Sequence, residues 1–233
     1  MKNCLLSVDW DYFVYTKKER VSSFSESKKS LVDLWYKRYL EAKTYGLDIK
    51  DSYKLSPSWE NFWEGIKEKF TFEKGIRVQV SDSHTLSYDI CKICGCNAVI
   101  LFDAHSDLGY GGLSSLDFEL NCSNWLGKLL KENIVKSAHI IYSPHTQEKP
   151  EYFKSITNKF NVKFSKYDDF DKNFTISQIH ICRSGAWTPP WLDGKFFEFV
   201  NLLGLEYEIT DCPKRHWNPE NLSFSDKINY FLA

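Results

Sequence analysis

The chain has 233 residues, 42% hydrophobic and 16% aromatic, with a formal net charge of −1. That length accommodates one α/β domain able to bury about 70% of its unfolded surface, and the composition excludes a disordered chain. The charge balance argues against a nucleic-acid partner, and no apolar run approaches the ~20 residues that cross a bilayer. Seven cysteines without a secretory signal fit free thiols in a reduced, cytoplasmic setting.

In chain order, residues 5–8 form a short apolar strand that ends in Asp9-Trp10-Asp11. Residues 25–45 repeat Leu31, Leu34, Trp35, Tyr39 and Leu40 at three- and four-residue intervals, which predicts an amphipathic helix. A second helix is predicted from near Ser56, with Pro57 in its first turn and Trp59, Phe62, Trp63 and Ile66 on one face. Residues 76–80 read as a strand followed by a helix through Cys94, and 98–101 as a buried strand bounded by Gly95 and Gly109. A helix over 124–131, a strand over 138–142, a helix over 150–159, strands over 162–164 and 178–182 and a last long helix over 191–203 continue the alternation. This order predicts a mostly parallel sheet covered on both faces, in one domain spanning 1–233, with ligands at the carboxyl ends of the strands. Cys91, Cys94 and Cys96 have the look of a zinc knuckle, but no second ligand pair follows at suitable spacing. Thiols buried against a core are the simpler account.

The sharpest chemical signal is Asp103-Ala104-His105-Ser106-Asp107, directly after the apolar strand. In extended backbone Asp103, His105 and Asp107 project to one side. Two carboxylates and an imidazole crowded there need compensation, from a divalent cation or from a salt-bridge and capping network. Asp9 and Asp11 repeat the two-residue spacing at the end of the first strand. Alone they would pass as turn caps; beside the central motif they complete a shared site. His84, in Ser81-Asp82-Ser83-His84, lies at the same predicted rim. Four Asp and two His suit a pair of hard divalent ions such as manganese better than a lone zinc. Such a pair, about 3.5–4 Å apart, lowers the pKa of a bridging water and holds a nucleophile at neutral pH.

Asp103-Ala104-His105-Ser106-Asp107 resembles the Asp-Ala-His-x-Asp signature of the arginase/ureohydrolase superfamily. Ser7-Val8-Asp9-Trp10-Asp11 is similar to its Ser-x-Asp-x-Asp element, and Ser83-His84 to its Gly-Gly-Asp-His segment. The usual arginases carry Ser-x-Asp-x-Asp late in the chain, whereas here it is N-terminal. With Ser184 to Asp193, the order resembles a divergent branch, the peptide arginases, which convert arginine side chains of ribosomally made peptides to ornithine. The resemblance implies a three-layer α/β/α, arginase/deacetylase-like fold and two Mn2+ per chain. It implies that Asp9 and Asp103 bridge the ions, that His84 and Asp107 complete one site, and that His105 and Asp11 complete the other. Asp107 would also aim the hydroxide at the guanidinium carbon, and an arginine-containing peptide would be the partner.

A nearby His is the usual proton donor to a leaving amine, and His145, just past a predicted strand, is the candidate; a plain loop role is the alternative. His139 and His180 lie within strands and read as packed, and His216 as a surface tail residue. The loop from Ser184 to Asp193 leaves the strand over 178–182; Ser184 is a substrate-binding candidate, and Trp187 and Trp191 either wall a substrate cleft by cation–π contact or pack while Pro189-Pro190 starts the next helix. Tyr110, within Gly109-Tyr110-Gly111-Gly112, marks a substrate-adjacent loop. Asp193 and Asp211 are conceivable partners for a guanidinium. Competing readings are a ureohydrolase acting on free arginine or agmatine, a zinc amidohydrolase of deacetylase type, and a non-catalytic binding module.

Overall fold

The computed structural model describes residues 3–16, 31–167 and 174–232. Its elements are β1 (Cys4–Asp9), β2 (Val14–Thr16), α1 (Leu31–Thr44), α2 (Ile49–Ser52), β3 (Tyr53–Leu55), α3 (Phe62–Lys69), β4 (Thr71–Ser81), α4 (Leu86–Cys94) and β5 (Ala98–Asp103). They continue through α5 (Trp125–Lys131), β6 (Ser137–Tyr142), α6 (Lys154–Thr157), β7 (Val162–Ser165), β8 (Thr175–Cys182), α7 (Asp193–Leu202), β9 (Glu208–Ile209) and α8 (Phe224–Leu232). Seven strands form one sheet in the order β7-β6-β5-β1-β8-β4-β9, and every adjacent pair is parallel.

The unbroken apolar runs of β1 and β5 are buried on both faces, as central strands of a parallel sheet require. Alternation divides them. Cys4, Leu6, Val8, Ala98, Ile100 and Phe102 face α3 and α7, where Trp63 and Phe199 stack with centroids 5.0 Å apart. Leu5, Val99 and Leu101 face α4, α5 and α6. The result is the three-layer α/β/α architecture the strand–helix alternation predicts. No helix among the described residues is long and apolar enough to cross a membrane.

Element boundaries differ from expectation in instructive ways. The helix expected over 25–45 begins at Leu31, and residues 25–30 lie outside the described residues. The helices expected from 56, 150 and 191 open as separate 3-10 turns, Pro57–Trp59, Pro150–Phe153 and Pro190–Leu192. In each, a proline at the first turn removes a backbone donor and sets the local φ. Strands 76–80 and 178–182 are the inner parts of longer β4 and β8, whose pairing shifts register between Phe72 and Arg77. Unanticipated are the antiparallel β2–β3 pair, β9 at the sheet edge, and α8, which packs on α1 with Tyr36 and Tyr230 stacked. Cys91 and Cys96 are buried and Cys94 half-buried, all as free thiols.

Candidate metal centre

Strand register brings the acidic residues to one edge. Val8 pairs with Phe102, so Asp9 and Asp103 lie level one residue on; Asp9 also pairs with Cys182, and Cys182 with Ser81. The continuing alternation points Asp9 and Asp103 to the α4 side, where His84 lies buried in the turn between β4 and α4.

The extended-strand account of the central motif needs correction. β5 ends at Asp103, and Asp107 sits in a loop with φ of 52°. Its carboxylate reaches the cluster because the backbone turns back: the amides of Leu126 and Gly127, at the start of α5, both donate to Asp107 O at 3.2 Å. Trp125 Nε1 donates to Asp107 Oδ2 at 2.5 Å. Gly127 permits this close approach, since a Cβ there would stand 2.4 Å from Leu108 O.

The six side chains converge. His84 Nδ1 lies 3.1 Å from Asp9 Oδ2, 3.1 Å from Asp103 Oδ2 and 2.9 Å from Asp107 Oδ2. His105 Nδ1 lies 2.9 Å from Asp11 Oδ2 and 3.5 Å from Asp103 Oδ1. The donor atoms group as two trios that share Asp103, namely His84–Asp103–Asp107 and Asp11–Asp103–His105. Asp9 groups instead with His84 and Cys182, a thiol with no sequence signal beyond its place at a strand end. Backbone amides fix the carboxylates: Asp11 N donates to Asp9 at 2.9 Å, Ala104 N to Asp11 at 3.2 Å and His105 N to Asp103 at 2.7 Å.

Electrostatics make the cluster costly as it stands. Burial, with Asp11 next to it, pushes Asp9 up to about 6, and burial among three other carboxylates drives Asp103 well above the usual range. Burial would also raise Asp11, but the His105 imidazole holds it below its ordinary value. His84 and His105 lose charge stability to burial, yet the surrounding carboxylates lift both well above an ordinary imidazole. Close approach is not hydrogen bonding: His84 Nδ1 and Asp103 Oδ2 are buried without a hydrogen-bond partner. These two atoms fit a divalent cation, which accepts lone pairs from nitrogen and carboxylate alike.

The cluster opens through half-exposed His105 onto a cavity of about 400 Å³. Tyr15, Tyr53, His145, Glu148 and Trp187 help line it, with Asp11 and His105 at its base. The candidate His145 is therefore in the cavity, its ring stacked on Tyr15 with centroids 3.8 Å apart. Trp187 is there too. Trp191 is not among the lining residues; it packs against Trp35, Tyr53 and Trp217. Tyr110 is not among the lining residues; it is half-exposed and donates to Glu148, which does line the cavity. Ser184, expected to contact substrate, is buried and outside the cavity lining; its hydroxyl donates to Asp9 and so supports the cluster. Asp193 is engaged by Arg183 and Arg215, and Asp211 is an exposed turn residue away from the cavity lining. Glu148 itself was missed. It lies in an irregular loop with no periodicity or motif to mark it, and it accepts from Ser106 N at 3.0 Å and Tyr142 OH at 3.1 Å.

Beneath the Ser184 loop lies a second unanticipated group. Arg183, fully buried, donates from Nε to Asp82 Oδ1 at 2.9 Å and from a terminal nitrogen to Asp82 Oδ2 at 2.8 Å. Arg215 donates to Gly185 O and Thr188 O at 2.7 Å each. This network holds Ser184 at φ of 50°, with its hydroxyl on Asp9.

No family profile, curated protein or solved structure matches the chain. Fold and side chains together define a class: a three-layer α/β/α protein with a buried Asp/His cluster, able to hold metal, at the carboxyl edge of its sheet.

Proposed function

We propose that the chain is a dinuclear metal-dependent hydrolase that cleaves the guanidino group of arginine side chains in a ribosomally made peptide, giving ornithine and urea. The observation that carries this reading is the pair of donor trios sharing Asp103, open to a cavity with a carboxylate in its wall. His84, Asp103 and Asp107 would hold one ion and Asp11, Asp103 and His105 the other, with Asp9 beside His84. Two divalent cations, manganese by the hardness of the donor set, would neutralise the carboxylates and supply a nucleophilic hydroxide at neutral pH.

The chain's own residues supply binding and proton transfer. Among the described residues that line the cavity there is no lysine or arginine, while Glu148 and the rings of Tyr15, Tyr53 and Trp187 favour a cation. Burial raises the Glu148 carboxyl above its ordinary value, and a bound guanidinium would draw it back to the charged form. Asp107, held by the Trp125 indole, would orient the attacking water. Addition of water to the guanidino carbon and rupture of its bond to the side-chain nitrogen would release urea, and His145, in the cavity lining, would protonate the departing amine.

Urea release by manganese-loaded protein tests the reading, with arginine-containing peptides, free arginine and agmatine compared side by side. Loss of one carbodiimide unit from peptides alone is the expected result, and Asp103→Asn should abolish it while the fold is kept. Urea from the small molecules only would move the substrate to free guanidines. No urea from any of them would overturn the reaction class.

A further inference from the structure

Among buried polar groups that the proposed chemistry does not use, His180 stands out. It is fully buried on β8, and its ring nitrogens meet two serine hydroxyls, Ser87 Oγ at Nδ1 (2.7 Å) and Ser81 Oγ at Nε2 (2.8 Å). Ser87 Oγ lies 2.8 Å from Ser7 Oγ, which lies 2.7 Å from His84 Nε2. Four side chains from β1, β4, α4 and β8 thus form one unbroken chain of hydrogen bonds that ends on the ring of His84, in the cluster.

We infer that His180, with Ser81, Ser87 and Ser7, is a positioning device that sets the tautomer of His84 and so leaves on Nδ1, the nitrogen beside Asp9, Asp103 and Asp107, a lone pair for a cation held among those carboxylates. The direction follows from the far end. Ser81 Oγ stands 2.8 Å from the backbone carbonyl of Ser83, and two oxygens that close must share the serine proton. Ser81 then has only lone pairs left for His180, so His180 Nε2 carries hydrogen. His180 Nδ1 is left as acceptor and takes the Ser87 proton; Ser87 accepts from Ser7, and Ser7 accepts from His84 Nε2. Hydrogen on Nε2 leaves Nδ1 of a neutral His84 as a lone pair, on the nitrogen that is buried without a hydrogen-bond partner. Reversing any one link would set two protons or two lone pairs face to face in a site without water access. Partners of this kind commonly tune metal affinity 10–100-fold.

The metal part of this inference rests on reading the cluster as a metal centre; the tautomer part does not. Long-range proton–nitrogen NMR of the histidine rings in metal-free protein should find His180 with hydrogen on Nε2 alone. In zinc-loaded, diamagnetic protein His84 should carry hydrogen on Nε2. Ser87→Ala removes one oxygen and frees the Ser7 proton to turn toward His84 Nε2, so Mn2+ affinity should fall about 10–100-fold. Circular dichroism and the metal-free Tm of that variant check that it folds. Hydrogen on His180 Nδ1 in the wild-type protein would overturn the relay, as would wild-type Mn2+ affinity in folded Ser87→Ala. Wild-type protein that binds no Mn2+ would defeat the metal reading, while the His180 tautomer would still decide the relay.

Discussion

Arg183 is the residue on which the geometry behind Asp9 turns. Its guanidinium is fully buried, forked onto Asp82, and shared with Asp193 and the Pro213 carbonyl at 2.8 Å. Removing one partner of a buried pair leaves an uncompensated charge, which typically costs 3–5 kcal/mol. Arg183→Met should therefore lower unfolding stability by about that amount in urea titration, and loosen the Ser184 hydroxyl from Asp9. Stability within about 0.5 kcal/mol of wild type would show that the pair is dispensable. Lysine is no substitute, because it lacks the planar fork. At this scale the sequence was uneven in what it revealed. Asp9, Asp11, His84, Asp103, His105 and Asp107 carry their spacing on their faces, and the structure brings all six together. Glu148, Cys182 and Arg183 have no such spacing, since each gains its place only from a fold that joins distant loops.

Among the elements, α5 matters most to the cluster, and it is only seven residues long. Its first amides take the Asp107 carbonyl, and its first side chain takes the Asp107 carboxylate. Gly127→Ala would push a methyl to 2.4 Å from Leu108 O and 2.5 Å from Leu116 Cδ2. We expect a loss of about 1–3 kcal/mol of stability and weaker Mn2+ binding, measured by denaturation and calorimetric titration. An alanine variant with wild-type stability and affinity would show that the helix can back away at no cost. Strands and helices with strong periodicity were legible: β1, β5, β6 and α4 fall where the apolar patterns place them, and α3 covers the later part of the helix expected from Ser56. The β2–β3 pair and β9, at three and two residues, are too short to show a period. The supposed continuation of β5 through His105 and Asp107 failed because a two-residue spacing is shared by strands and by loops that fold back.

For the whole molecule, the cluster ties metal binding to acidity. Asp9 and Asp103 are raised and the two imidazoles are raised, so the metal-free protein holds protons that a cation must displace. Affinity for Mn2+ should thus weaken as pH falls from 8 to 6, with proton release visible as a buffer-dependent heat; an affinity flat across that range would contradict the cluster's role. At a hundredfold excess over Kd, bound metal adds about 2.7 kcal/mol to the native state, and a chelator should lower Tm by roughly 5–10 °C. A midpoint indifferent to chelator would count equally against it. The strand order carries a further consequence, for biosynthesis. β4, which leads into His84, is not paired with β1; within the sheet it is joined to it through β8, a strand made some hundred residues later. During translation, β1 and β5 can pair and bring Asp9 and Asp103 level early, while the sheet path that carries β4 to them waits for β8; until then His84 would rely on side-chain contacts such as those of Ser7 with its ring and with Ser87. A ribosome stalled before that point would hold a nascent chain with the Asp11–Asp103–His105 group able to form and the His84–Asp103–Asp107 group without the strand pairing that supports it in the finished fold.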